Sequence, residues 1–244
     1  MKKIDILGTE VTLGGREELF FAAAELIDKG GVIATVNPAI LNSAASDTEL
    51  RAALRGALAI PDGVGTSIAA FMLGERTSRF PGVELGEALL EVRPVRLGIV
   101  GGVEGVAEAA LENLTLRHPN VIPALARDGF SHSEEEISEA ISDSRTELVF
   151  LCLGSPKQEL FAKWLSGRHK GVLFISLGGS ADIYSGLKKR CPRALRALRL
   201  EWVYRMAREP RRLAGLADIP SFFAKIIKQG KFERKLGKKV PKGY

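Results

Sequence analysis

Three stretches set polar residues directly after apolar runs, where side chains can meet a ligand. The first is Ile60-Pro61-Asp62-Gly63-Val64-Gly65, which holds one carboxylate in a turn. A carboxylate so held can accept the proton of a bound hydroxyl. The same residues also make an ordinary Asx turn that caps the next helix, and position alone favours neither reading. Thr35 and Asn37 close the neighbouring apolar run and can face the same crevice, although turn chemistry explains Asn37-Pro38 equally well.

The second stretch, Gly101-Gly102-Val103-Glu104-Gly105, lets backbone N–H groups approach an anion at a helix start. It is not the Gly-x-Gly-x-x-Gly fingerprint, and a plain strand-to-helix turn accounts for it at least as well. The third is Gly154-Ser155-Pro156-Lys157-Gln158-Glu159. Ser155 as cap, Pro156 at the first helical position and Glu159 in the first turn make a normal helix start. Gln158 is not needed for that, and a carboxamide offering donors and an acceptor suits a sugar or uracil.

Other chemistries find little support. Two cysteines and three scattered histidines make neither a disulfide framework nor a zinc site. There is no P-loop, and Asp47-Thr48-Glu49 reads as a helix start rather than a metal-holding Asp-x-Asp element. The amino terminus has no signal-peptide pattern, and no apolar stretch reaches the ~20 residues of a membrane-spanning helix. The expectation is a cytoplasmic protein whose membrane contact is peripheral.

The elements that must position these residues alternate between strands and helices. Ile4 to Leu13 has strand composition, and Arg16 to Lys29 is helical by spacing. Strands at Val32–Val36 and Leu58–Ile60 enclose a helix over Ile40 to Ala57, and Thr66 to Leu73 is a further helix. The rhythm repeats with strand Val95–Val100, helix Val103 to Leu116, a capping-box helix from Ser133, strand Leu148–Leu153, a helix through Trp164, and strand Val172–Leu177. The predicted fold is α/β: a Rossmann-like parallel or mixed sheet with helices on both faces.

Charge divides the chain. From Gly186 onward there are 18 basic and 4 acidic residues, against 17 and 25 before it, although the whole chain carries only +6. We therefore expect a catalytic body over 1–185 and a basic helical appendage over 186–244. In the appendage, Arg193 to Glu209 reads as a helix. Ile219 to Lys228 reads as an amphipathic one, with Ile219, Phe222, Phe223, Ile226 and Ile227 on one side, and Lys231 to Tyr244 as polybasic and unstructured. Such a helix either docks on an anionic membrane surface or packs on the body.

Taken together, Thr35-Val-Asn37-Pro38, Pro61-Asp62-Gly63-Val-Gly65, Gly101-Gly102, Leu153-Gly-Ser-Pro-Lys-Gln-Glu159 and Leu200-Glu-Trp-Val-Tyr-Arg205 with Glu209-Pro-Arg-Arg212-Leu213 resemble the WecG/TagA/CpsF glycosyltransferases. The resemblance is collinear from about residue 4 to residue 213. It implies transfer of N-acetylmannosamine, or its uronic acid, from a UDP donor to undecaprenyl-diphosphate-linked N-acetylglucosamine. Under it Asp62 is the catalytic base with Thr35 beside it. Asn37, Gly101, Gly102 and Gln158 bind substrate, and Arg205 and Arg212 close over the donor diphosphate. Glu84 departs from the family pattern, which has Asp there, and this change can bear on sugar specificity.

Arginine can offset the charge that develops on a departing diphosphate, so the expected catalysis needs no metal and no other cofactor. The expected partners are the UDP-sugar, the polyprenyl-linked acceptor and the inner face of the cytoplasmic membrane, with homo-oligomer formation possible and no nucleic acid. The rival reading from another class is a nucleic-acid-binding protein using the basic tail. It explains the charge but not Asp62 or the Gln158 element.

Overall fold

The computed structural model describes residues 1–192, 195, 204, 208 and 218–237. The predicted helix over Arg193 to Glu209, with Arg205 and Arg212, falls largely outside them. Six strands form one parallel sheet in the order β4-β3-β8-β7-β5-β6. They are β3 (Gly31–Val36), β4 (Leu58–Pro61), β5 (Val95–Gly101), β6 (Val121–Arg127), β7 (Leu148–Cys152) and β8 (Leu173–Ser176). Ahead of them β1 (Lys3–Ile6) and β2 (Thr9–Thr12) make a separate antiparallel hairpin from the stretch whose composition reads as strand.

The central strands are mostly apolar because both faces are covered, and β7 is buried at every position. Along β7, Leu148, Phe150 and Cys152 enter one core, while Val149 and Leu151 enter another. The first core is closed by α1 (Arg16–Lys29), α5 (Gly82–Leu89), α6 (Val106–Arg117) and α9 (Ser180–Tyr184). The second is closed by α7 (Glu134–Asp143) and α8 (Lys157–Arg168). The doubly covered Rossmann-like sheet is therefore as the sequence indicates.

Several boundaries differ. Ile40 to Ala57 is two helices, α2 (Pro38–Ala44) and α3 (Thr48–Leu54), because Asp47 Oδ1 accepts the N–H groups of Glu49 and Leu50 and starts a new helix. The helix after Gly102 begins at Val106 rather than Val103, behind Gly105 at φ 80°. Three elements, β6, α5 and α9, have no counterpart in the sequence reading. β6 is an edge strand carrying exposed Ile122 and Pro123 beside a register shift, which breaks its apolar pattern.

The carboxy-terminal helix α10 (Asp218–Lys235) runs further than expected, and Lys231–Lys235 are helical. Phe222 and Ile226 are 0% exposed in a third core with Leu41 and Ala44 of α2 and with Ala69 and Ala70 of α4 (Val64–Met72). Gln229 ties the helix to the hairpin through the Leu7 N–H and the Asp5 carbonyl. Thus the face containing Phe222 and Ile226 packs on the body, and among the described residues from 218 onward the exposed large apolar groups are Ile219, Ile227, Phe232 and Leu236. Among the described residues no helix is long and apolar enough to cross a membrane.

Candidate active site

All six strands point their carboxyl ends at one edge, the place where open α/β sheets bind ligands. At one side of that edge β3 and β4 run in register, with Thr35 opposite Ile60 and Val36 opposite Pro61. Asp62 prolongs the pairing by donating its N–H to the Val36 carbonyl at 3.0 Å. Asp62 Oδ1 in turn accepts the Gly82 N–H at 2.7 Å, at the start of α5. The Phe80 N–H donates to the Pro61 carbonyl at 2.7 Å, so the approach to α5 is stitched across the mouth of β4.

Thr35 meets this junction from β3. It is buried, and its Oγ1 donates to the Ser176 carbonyl of β8 at 2.8 Å. A Cβ on Gly82 would lie 3.1 Å from Thr35 Oγ1 and 3.2 Å from Leu177 Cδ2, which leaves hydrogen as the comfortable side chain there. Thr35, Asp62 and Gly82 are therefore brought together at a single point. The turn explanation accounts for the oxygen of Asn37, which accepts the Ile40 N–H at 3.1 Å as the cap of α2. By contrast Asp62 accepts from a residue 20 positions away, which a local turn cap does not explain.

At the other side stand β5, β6 and β7. Gly101 has φ 135°, and a Cβ there would lie 2.3 Å from the Cys152 carbonyl oxygen; at Gly102, with φ 80°, it would lie 2.6 Å from Val106 Cγ1. Both glycines are thus required by the packing of the turn. The Gly102 carbonyl accepts the Gly129 N–H at 3.0 Å, and Lys157 Nζ donates to the Gly129 carbonyl at 2.9 Å. These bonds pull the loop after β6 against the glycine pair.

That loop carries Phe130, 80% exposed, with Lys157 Nζ 5.9 Å from its ring centre. Asp128 shapes the loop, its Oδ1 accepting the Phe130 and Ser131 N–H groups at 2.7 and 2.8 Å. Those two bonds, the Phe130 one first, hold the Asp128 carboxyl below its ordinary range. The sequence reading passed over this loop. Its available signal was the turn pair Asp128-Gly129 followed directly by an aromatic residue.

Gln158 sits in the first turn of α8 and is 2% exposed. Its Oε1 accepts the Gly178 N–H at 2.9 Å, and its Nε2 donates to Glu159 Oε1 at 2.8 Å, which leaves one amide hydrogen unspent. The helix opens behind Pro156 with no side-chain cap, so Ser155 does not cap it. Glu84 is engaged by Arg16 at 2.7 Å and Arg190 at 3.2 Å, and Arg190 also holds Glu87. It therefore helps tie α1, α5 and the segment after α9 together.

The carboxyl edge thus joins a fixed carboxylate to a glycine turn and an exposed aromatic ring. A family model described as "Glycosyl transferase WecG/TagA/CpsF family" matches residues 4–236. The chain belongs to this family. Relatives share its length. One from Bacillus spizizenii is 30% identical over 206 residues, 82% of this chain and 80% of the relative. One from Staphylococcus aureus strain MW2 is 29% identical over 237 residues, 93% and 92% of the two chains. Both are named N-acetylglucosaminyldiphosphoundecaprenol N-acetyl-beta-D-mannosaminyltransferase. Membership makes the protein a glycosyltransferase, and it agrees with the sheet and with the collinear motifs.

Proposed function

We propose that the protein transfers N-acetylmannosamine, or its uronic acid, from a UDP donor to a polyprenyl-diphosphate-linked N-acetylglucosamine in the assembly of a cell-surface polymer. The observation that carries this reading is the junction at β3 and β4, where Asp62 is locked by the Gly82 N–H beside buried Thr35. The names of the relatives supply the acceptor and sugar class.

In the reaction the acceptor hydroxyl oxygen bonds to C1 of the sugar as the C1–oxygen bond to the diphosphate breaks. The electron pair leaves with UDP, the hydroxyl proton passes to the Asp62 carboxylate, and the anomeric configuration inverts. The Gly82 N–H holds the Asp62 carboxyl group in place. Phe130 offers its exposed face to the nucleobase, and Gly101-Gly102 let backbone approach the diphosphate. Arg205 and Arg212 take the charge of the departing UDP, so no metal is required.

Membrane approach belongs to the same reading, through a smaller surface than the sequence indicates. On α10 and just past its end the exposed Ile227, Phe232 and Leu236 stand among exposed Lys228, Lys231 and Lys235, while Phe222 and Ile226 are committed to the core. Lysines near an anionic surface contribute about 1 kcal/mol each.

The deciding assay offers UDP-N-acetylmannosamine and its uronic acid to a synthetic lipid-linked N-acetylglucosamine, with and without EDTA. Transfer that survives EDTA and collapses in Asp62→Asn is the expected result. Transfer at the wild-type rate by Asp62→Asn would remove the catalytic assignment, and loss in EDTA restored by Mn²⁺ would remove the metal-free step.

A further inference from the structure

Glu159 follows Gln158 in the first turn of α8, yet it is 2% exposed. An acid in a first turn normally meets the positive end of the helix dipole from the solvent side. Here Oε1 accepts the Gln158 Nε2–H at 2.8 Å, while Oε2 is buried and makes no hydrogen bond among the described residues. Burying an oxygen unmatched costs stability, so favourable helix capping does not explain this residue.

Its surroundings do. A carboxamide can be seated either way round, and the two seatings exchange a donor for an acceptor. With Oε1 on the Gly178 N–H, Gln158 turns Nε2 toward Glu159, and an acceptor there completes the arrangement. Gly178 belongs to the turn between β8 and α9. On its other side that turn presents the Ser176 carbonyl to Thr35 Oγ1 and the Leu177 side chain to Gly82. Gly82 in turn holds Asp62.

We propose that Glu159 is a positioning residue: by seating the Gln158 carboxamide it sets the turn between β8 and α9, and through that turn the Thr35, Gly82 and Asp62 junction on which the donor sugar is placed. This rests on the reading of the carboxyl edge as the nucleotide-sugar site. Glu159 itself touches no substrate. Burial holds its carboxyl above the ordinary range, with the hydrogen bonds of Gln158 and then Ser155 acting in the opposite direction. A carboxamide of the same shape keeps a carbonyl oxygen for the Gln158 Nε2–H and should serve in its place.

The test compares Glu159→Gln and Glu159→Leu in the full chain, both checked for folding by circular dichroism. Loss of one hydrogen bond is expected to raise the donor KM of Glu159→Leu about tenfold, with the acceptor KM within about twofold, and to speed hydrogen exchange at the Gly178 amide. Glu159→Gln should restore both. Unchanged Gly178 exchange in folded Glu159→Leu overturns the proposal, as does a folded Glu159→Gln that is as impaired as a leucine variant is expected to be. If Glu159→Leu does not fold, Glu159→Gln decides alone. Should the wild-type chain transfer no sugar from any nucleotide donor, the reading of the edge fails, while Gly178 exchange still reports whether Glu159 seats the turn.

Discussion

The two sides of the carboxyl edge are built differently. Around β3 and β4 the polar groups are buried or half-buried and tied to backbone: Thr35 to the Ser176 carbonyl, Asp62 to the Gly82 N–H, and Thr66 Oγ1 to the Val36 carbonyl at 3.1 Å. Around β5 and β6 the surface is a glycine pair and an exposed ring on a loop. A group that moves a proton must be held within a narrow geometry. A surface that receives a flat base and a diphosphate needs room and backbone access more than fixed side chains. On the proposed reading, the difference separates a side for chemistry from a side for binding.

Asp62→Asn tests that separation most strongly. The amide oxygen can still accept the Gly82 N–H, so the fold should survive while the base is lost. General-base removal costs about 10²–10⁴ in rate, and we expect kcat to fall in that range with donor KM little changed. A large rise in donor KM with kcat intact would erase the distinction between the two sides.

The next effect concerns the body against its exposed rim. Phe222 and Phe232 lie ten positions apart on α10, one 0% and the other 62% exposed. Phe222→Ala should destabilise the fold by about 3–5 kcal/mol, read from chemical denaturation, whereas Phe232→Ala should stay within about 0.5 kcal/mol. Phe232→Asp should instead weaken flotation with anionic liposomes, with thermal stability unchanged. Equal denaturation midpoints for the two alanine variants would contradict the docking of α10.

How much of this was legible depends on the kind of interaction. The doubly covered sheet shows in runs such as Leu148-Val-Phe-Leu-Cys152, which have no polar face to turn outward. Asp62 and Thr35 show because each ends such a run. What stayed hidden depends on contacts distant in sequence. The Gly82 N–H reaches Asp62 across 20 positions, and Gln158 reaches Gly178 across another 20. The amphipathic pattern of Ile219 to Lys228 fixes which face is apolar but not what covers it, and α2 with α4 cover Phe222 and Ile226. The edge strand β6 went unseen because one-sided exposure and Pro123 remove the apolar run by which its neighbours are recognised.

On the binding side Phe130→Ala isolates one surface. Stacking of a base on an aromatic ring contributes about 1–3 kcal/mol, so donor KM should rise at least about fivefold with kcat within about twofold. A fall in kcat with unchanged KM would place Phe130 with the chemistry.

The smallest effect is in the pH response of the same loop. The folded-state pKa of Asp128 is lowered by the Phe130 and Ser131 N–H groups, so its hold on the loop is complete above the ordinary carboxylate range and is lost as pH falls through the lowered value. Asp128→Asn keeps a neutral acceptor for the same N–H groups and removes the charge. At neutral pH its donor KM should be modestly higher, since a bond to a charged acceptor is stronger than one to a neutral acceptor. As the pH is lowered through the folded pKa the wild-type and variant values should converge, because only the wild type has a charge to lose. A difference that stays constant down the acid limb would mean that Asp128 shapes the loop by fit alone, and that the binding side, like the chemical side, is set by geometry rather than by charge.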